Sequence, residues 1–181
     1  MDFRDWQGSS IYDGESVFYE ADGKTKKPLA RVNGRILLWY PDFTKMDDAM
    51  GRGGQIRSFE AVFSPLGEDG QPRFAFDRET GLPDAEVIEY WKRYDIGLIL
   101  QEKWAQMEEQ LSGKIHVYMG DLDTFYLEEA TRLLGERLKA IGSDAVVEMF
   151  PGKDHMNLVD RNLRHRIMLE MTKAFRKNHS E

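Results

Sequence analysis

The spacing of apolar residues changes near Pro83 and gives the chain two kinds of pattern. Before Pro83, short strand-like runs at Ser16 to Tyr19 and Arg35 to Tyr40 lie between turn-forming pairs such as Asn33-Gly34. The Asn-Gly pair suits a type I′ turn, because both of its central positions need a positive φ. The first part of the chain is therefore predicted to form an irregular β-hairpin region.

Two helical stripes follow Pro83, a residue that fits the first turn of a helix. The first stripe consists of Val87, Ile88 and Trp91, and the second of Ile96, Leu100, Trp104, Met107 and Leu111. Apolar residues three or four positions apart lie on one side of a helix. The pattern therefore predicts two helices with a break near Tyr94 and Asp95.

The last third of the chain has the pattern of a βαβ unit followed by a helix. Two β-rich runs, Ile115 to Met119 and Ala145 to Phe150, enclose a helical stripe at Leu127, Ala130, Leu134, Leu138 and Ile141. Gly142 suits the C′ position of that helix. A last helix is indicated by Leu163, Ile167, Met171 and Phe175. The fold class predicted here is α/β.

Composition and net charge indicate which classes of binding partner the chain is suited to. The 181 residues are 41% hydrophobic and 31% charged, which is typical of a globular domain. The formal charge of −7 disfavours nucleic acid and anionic membranes as partners. The N-terminus has no signal-peptide pattern, and no apolar run is long enough to span a membrane. The chain as given is therefore predicted to be cytoplasmic. If it derives from a longer parent protein, export of that parent stays open.

The candidate chemistry lies in two loops that follow the two predicted strands. The first loop contains Asp121 and Asp123, and the second contains His155. In open parallel sheets, ligands bind at the carboxyl ends of strands. A carboxylate there can accept the imidazole N–H and favour the imidazolium that forms when the ring takes a proton from a serine.

Each of these residues also has a purely structural interpretation. Asp123 could cap a helix beginning near Phe125, and His155 could be a hydrogen-bonding loop residue. Ser9 and Ser10 are interpreted as turn residues, and the stretch Gly51 to Gln55 as a flexible loop. No cysteine is present and the histidines lack metal-ligand spacing, so neither a metal nor another cofactor is expected.

The stretch Lys114 to Leu158, with its GDLD and GKDH segments, resembles the terminal part of α/β-hydrolase esterases of the esterase D and enterochelin esterase group. The resemblance implies a partial α/β-hydrolase fold, with a C-terminal βαβα core at residues 112–181 and a cap or insertion at residues 1–111. It assigns the catalytic acid to Asp123, with Asp121 as the alternative, and the catalytic base to His155. The reaction implied is hydrolysis of a small carboxylic ester.

The chain departs from this family in its nucleophile. Such hydrolases carry a G-x-S-x-G elbow between a strand and a helix, and none occurs here. The resemblance therefore implies that the elbow lies upstream of Met1, and that this chain is inactive alone. Two partners are consistent with it, a complementing N-terminal half or a second copy in a homo-oligomer. The alternative function is a non-catalytic self-assembling or binding module.

Overall fold

A computed structural model describes residues 2–179, which form six α-helices and two small β-sheets. The strands are β1 (Pro28–Val32), β2 (Arg35–Trp39), β3 (His116–Gly120) and β4 (Val146–Phe150). The helices are α1 (Tyr40–Ala49), α2 (Gln55–Phe63), α3 (Ala85–Trp91), α4 (Ile96–Leu111), α5 (Glu128–Ala140) and α6 (Arg161–His179). The predicted α/β class is confirmed at this coarse level. None of these helices is both long and apolar enough to cross a membrane.

Strands β1 and β2 form the predicted hairpin around the Asn33-Gly34 turn. Asn33 and Gly34 have φ values of 50° and 74°, so both adopt the left-handed conformation that a type I′ turn requires. The prediction of a strand at Ser16 to Tyr19 is wrong, because only Tyr19 makes an isolated bridge, to Lys26. The strand predicted to reach Tyr40 ends one residue earlier, where α1 begins.

Helices α1 and α2 replace what the sequence predicted as irregular structure. The stretch Gly51 to Gln55, interpreted as a flexible loop, is a 3₁₀ turn at Gly51–Gly53 followed by the start of α2. Buried Asp47 accepts hydrogen bonds from the backbone N–H groups of Gln55 and Arg57 at the beginning of α2. This carboxylate satisfies amides that have no partner within the helix, so it fixes the junction.

The larger hydrophobic core is aromatic and lies within the first 91 residues. Trp6 and Trp91 have ring centroids 5.4 Å apart and an interplanar angle of 62°. Trp6 Nε1 donates to Tyr40 Oη at 2.7 Å, which satisfies a buried indole N–H. The fully buried members of this core also include Phe3, Ile11, Val17, Phe18, Phe76 and Val87. The region predicted to be a cap therefore has its own core.

Helices α3 and α4 are separated as predicted, by a 3₁₀ turn at Lys92–Tyr94. Asp84 caps α3 and Asp95 caps α4 through their side-chain oxygens. Pro83 therefore precedes the N-cap of α3 and does not lie in its first turn, as the sequence had suggested. Asp95 is buried, and its carboxylate also accepts bonds from Phe3 N at 2.9 Å and Tyr12 Oη at 2.6 Å.

The predicted βαβ unit is present. Strands β3 and β4 are parallel, with His116 opposite Val146 and Gly120 opposite Phe150, and α5 connects them. Gly142 has a φ of 74°, and Ser143 N donates to Leu138 O at 2.9 Å, as expected for the predicted helix end. A smaller core joins α4, α5 and both strands around Leu100, Trp104, Leu134 and Leu138. The predicted boundary at 111/112 stays a prediction, although α4 shares this core with the βαβ unit.

Candidate active site

The two candidate loops meet at the carboxyl ends of β3 and β4. Asp121 N donates to Phe150 O at 3.2 Å, and Leu122 N donates to Lys153 O at 3.0 Å. A Cβ on Gly120 would overlap the carbonyl of Lys153, so only glycine permits this close approach of the two backbones. The parallel pairing thus brings the loop of the acid and the loop of the histidine together.

The structure places Asp123 and His155 in direct contact. His155 Nδ1 lies 2.9 Å from Asp123 Oδ2, and the Asp123 residue is 1% exposed whereas the His155 side chain is 46% exposed. A carboxylate oxygen only accepts, so the hydrogen of this bond is on Nδ1, and in a neutral imidazole Nε2 is then the acceptor. The predicted proximity of the two side chains is confirmed, while their catalytic role stays a prediction.

Asp123 does not cap a helix, as its structural interpretation suggested, because Leu127 is the N-cap of α5 and no side chain caps it; Asp123 instead holds the turn before α5. Its Oδ1 accepts from Phe125 N at 2.8 Å and from Leu127 N at 3.4 Å. These amides belong to the turn that precedes α5, because the helix begins at Glu128 and not near Phe125. One carboxylate therefore holds its own loop with one oxygen and the imidazole with the other.

Asp121, the alternative acid, contacts a different partner. Its Oδ1 accepts from Gly152 N at 2.7 Å, across the turn that follows β4. Within the part of the chain that the structure describes, the carboxylate that binds His155 is Asp123, and Asp121 fixes the turn that leads to the histidine.

The loop of His155 is held by reciprocal hydrogen bonds. Asp154 Oδ1 accepts from Met156 N and Asn157 N, both at 2.9 Å, while Asn157 Oδ1 accepts from Asp154 N at 2.8 Å. The Phe125 ring meets the imidazole edge to face, with centroids 5.0 Å apart. His155 Nε2 makes no hydrogen bond with any of residues 2–179. This nitrogen is free to accept a proton from a group outside the described contacts.

The other candidates do not join this pair. Ser10 Oγ accepts from Tyr12 N at 3.2 Å, as in a local turn, and Ser9 is buried in the turn that pairs it with Trp6. His116 contacts Glu170, on the face of the sheet covered by α6. Between residues 2 and 179 no group of three or more His, Asp or Glu side chains is arranged to hold a metal ion.

Sequence reasoning missed one residue that contacts the acid loop. Arg31 lies in β1, 92 residues before Asp123, and its Nε donates to the Asp123 carbonyl at 3.1 Å. No local pattern marks this arginine, because its role arises only when the hairpin folds against the loop after β3.

Comparisons of the chain with protein-family models, with curated proteins and with solved structures return no match. A function for this chain is therefore inferred from the geometry of the site itself.

Proposed function

We propose that this chain supplies the acid and the base of a serine hydrolase of the α/β-hydrolase type, related to the esterase D group, that cleaves small carboxylic esters. The observation that supports this most is the 2.9 Å contact of His155 Nδ1 with buried Asp123, which leaves Nε2 unbonded among the described residues. This is the arrangement that general-base activation of a serine needs.

In the proposed reaction, His155 Nε2 takes the proton of a serine hydroxyl as the serine oxygen attacks the ester carbonyl. The imidazolium is stabilised by Asp123 and returns the proton to the departing alkoxide, which leaves as the alcohol. Water then attacks the acyl-serine by the same route, releasing the carboxylic acid and restoring the serine. Asp123 keeps the imidazole in one tautomer and one orientation.

The serine is proposed to come from a partner segment, since the sequence contains no G-x-S-x-G elbow. The free edge of β3 is the proposed docking place. In the sheet of the described residues, β3 pairs only with β4, and apolar grooves of about 480 Å³ flank β3 on both faces. One groove is lined by residues such as Leu100, Val117 and Leu134, and the other by Tyr118, Met171 and Phe175.

Natural sheet edges are usually protected by charges, proline or a covering element. The β3 edge has ionisable residues beside it, Lys114, His116 and Glu170, but also apolar surface that includes Met171 and Phe175, which are each 63% exposed. These features suit a further strand with apolar side chains on both faces. A segment that adds such a strand at β3 would also approach the loops of Asp123 and His155.

The test is complementation. The chain alone should hydrolyse p-nitrophenyl acetate no faster than free imidazole, because it lacks the nucleophile and oxyanion donors. Fusion to the elbow-containing first half of an esterase D type hydrolase should generate activity, and His155→Ala should lower that activity at least about 100-fold. Activity of the isolated chain, with a serine-directed phosphonate bound to Ser9 or Ser10, would contradict the proposal.

The same β3 edge favours a second candidate, a non-catalytic module in which two copies pair through this strand. Here Met171→Lys should dissociate the dimer in light scattering at micromolar concentration. Val62→Lys is the matched control, because Val62 is 61% exposed and lies on α2, far from β3 in the chain. A monodisperse monomer of the unaltered chain would exclude this alternative.

A further inference from the structure

A single arginine of the N-terminal hairpin holds the loop that carries Asp123. The backbone N–H of Arg31 donates to Thr124 O at 2.8 Å, and its Nε donates to Asp123 O at 3.1 Å. Its terminal nitrogen donates to Glu128 Oε1 at 2.6 Å, and the guanidinium lies 4.4 Å from the centroid of the Tyr126 ring. Arg31 thus contacts four residues of the stretch between β3 and the first turn of α5.

The held stretch contains strained backbone. Tyr126 has a φ of 57°, a left-handed conformation that is unfavourable for a residue with a side chain. Such a conformation persists only where the surroundings determine it. The stacking of Arg31 on the Tyr126 ring supplies surroundings of this kind, and so does the nearby Gly8, where an added Cβ would lie 3.5 Å from the Tyr126 Cβ.

The contacts of Arg31 fix the two carbonyl groups that follow the Asp123 Cα atom. The direction of the Asp123 side chain depends on this backbone, because Oδ1 is already bonded to amides of the same turn. A rotation of the Asp123 or Thr124 peptide group would therefore move Oδ2 away from His155 Nδ1. The buried position of Asp123 leaves water little access to replace a lost contact.

We propose that Arg31 is a positioning residue, which orients Asp123 toward His155. The geometry of the acid and base pair then depends on the β1–β2 hairpin that carries Arg31. The consequence of Arg31 for catalysis rests on the proposed function, but its effect on the geometry does not. Arginine suits this position because its planar group can donate from Nε, pair with a carboxylate and stack on an aromatic ring at once. Lysine can keep only the charge.

The experiment is an NMR measurement on the full chain, without any partner. The His155 Nδ1–H, bonded to Asp123, should give a downfield proton signal that exchanges slowly with water. Asp123→Asn serves as the reference for its loss. Arg31→Ala and Arg31→Lys should each accelerate the exchange at least about tenfold, while Arg35→Ala, an exposed position in the same hairpin, should leave it unchanged.

A purely structural role would lower the melting temperature without moving this signal in the folded protein. Slow exchange in a folded Arg31→Ala variant would therefore overturn the proposal. If the Arg31→Ala variant does not fold, the exchange rate in Arg31→Lys decides between the two roles. This variant keeps a positive charge that can pair with Glu128, so it is expected to fold. A failed complementation would refute the proposed function and leave this result standing, so the two failures are distinguishable.

Discussion

At the residue scale, the carboxylate of Asp123 both holds its own turn and contacts His155. The sequence around Asp123 could be explained by a catalytic acid or by a helix cap, and each explanation needs only one oxygen of its carboxylate. In the structure Oδ1 accepts from the amides of its own turn and Oδ2 contacts His155 Nδ1. The hydrogen bonds that fix the turn also limit the rotation of the carboxylate, so these structural contacts support the proposed function of Asp123.

Thr124 tests whether the buried polar groups of this loop all have hydrogen-bond partners. It is 6% exposed, and its Oγ1 has no hydrogen-bond partner among residues 2–179. A buried hydroxyl without a partner costs about 1–3 kcal/mol, so Thr124→Val should raise the free energy of unfolding by about 1 kcal/mol in urea denaturation. Thr131→Val is the matched control, because Thr131 is equally buried but donates to Leu127 O at 3.0 Å.

The control should be destabilised by about 1 kcal/mol, because it removes the side-chain hydrogen bond from Thr131 Oγ1 to Leu127 O. If Thr124→Val is destabilised as much as Thr131→Val, the Thr124 hydroxyl has a partner that the described contacts do not include.

At the scale of elements, the β1–β2 hairpin depends on the backbone of its turn. Gly34 has a φ of 74°, and a Cβ built there meets no atom within 4 Å. The cost of Gly34→Ala is therefore conformational alone and should be about 1 kcal/mol. Faster amide hydrogen exchange along β1 and β2 would report it. Asn33→Gly keeps a residue that tolerates positive φ. It should therefore change the free energy of opening, measured by exchange, by no more than a few tenths of a kcal/mol.

The elements that the sequence predicted well are those with a local pattern. Strands β3 and β4 were predicted to within one residue of their starts, because their β-rich runs are visible within the sequence itself. Helix α1 was missed because its buried face includes Thr44 and Asp47. These residues are polar, so the hydrophobic pattern predicts that they are exposed. Asp47 is buried because it caps α2, a contact between separate helices that no window of the sequence contains.

For the molecule as a whole, the segment of residues 2–12 connects the two cores. Phe3 and Trp6 lie in the aromatic core, while Asp2 accepts from Arg137 Nε of α5 at 2.6 Å. The site therefore depends on regions that are distant in sequence: Arg31 contacts the acid loop from the hairpin, and Asp2 holds the helix that follows this loop. Neither contact could be predicted from the sequence, because each joins residues more than 90 positions apart.

The Asp2 contacts lead to a prediction about stability and pH. Burial alone would raise the pKa of Asp2, but hydrogen bonds from Arg4 and Arg137 outweigh it and hold the pKa below its ordinary value. A lowered pKa means that the folded protein binds this proton more weakly than the unfolded chain does. The stabilisation is then fully present above the ordinary aspartate pKa, near 3.9, and is lost as the pH falls through the lowered value.

Asp2→Asn should accordingly lower the free energy of unfolding by about 2 kcal/mol at pH 7, the value typical of hydrogen bonds to a charged group. The difference from the unaltered chain should stay constant down to about pH 5 and shrink below about pH 4. Urea denaturation across this range measures it, with Asp13→Asn as the control, since Asp13 is exposed. A difference that is the same at acidic and neutral pH would show that Asp2 stabilises the molecule by packing, and that its charge does not connect the two cores.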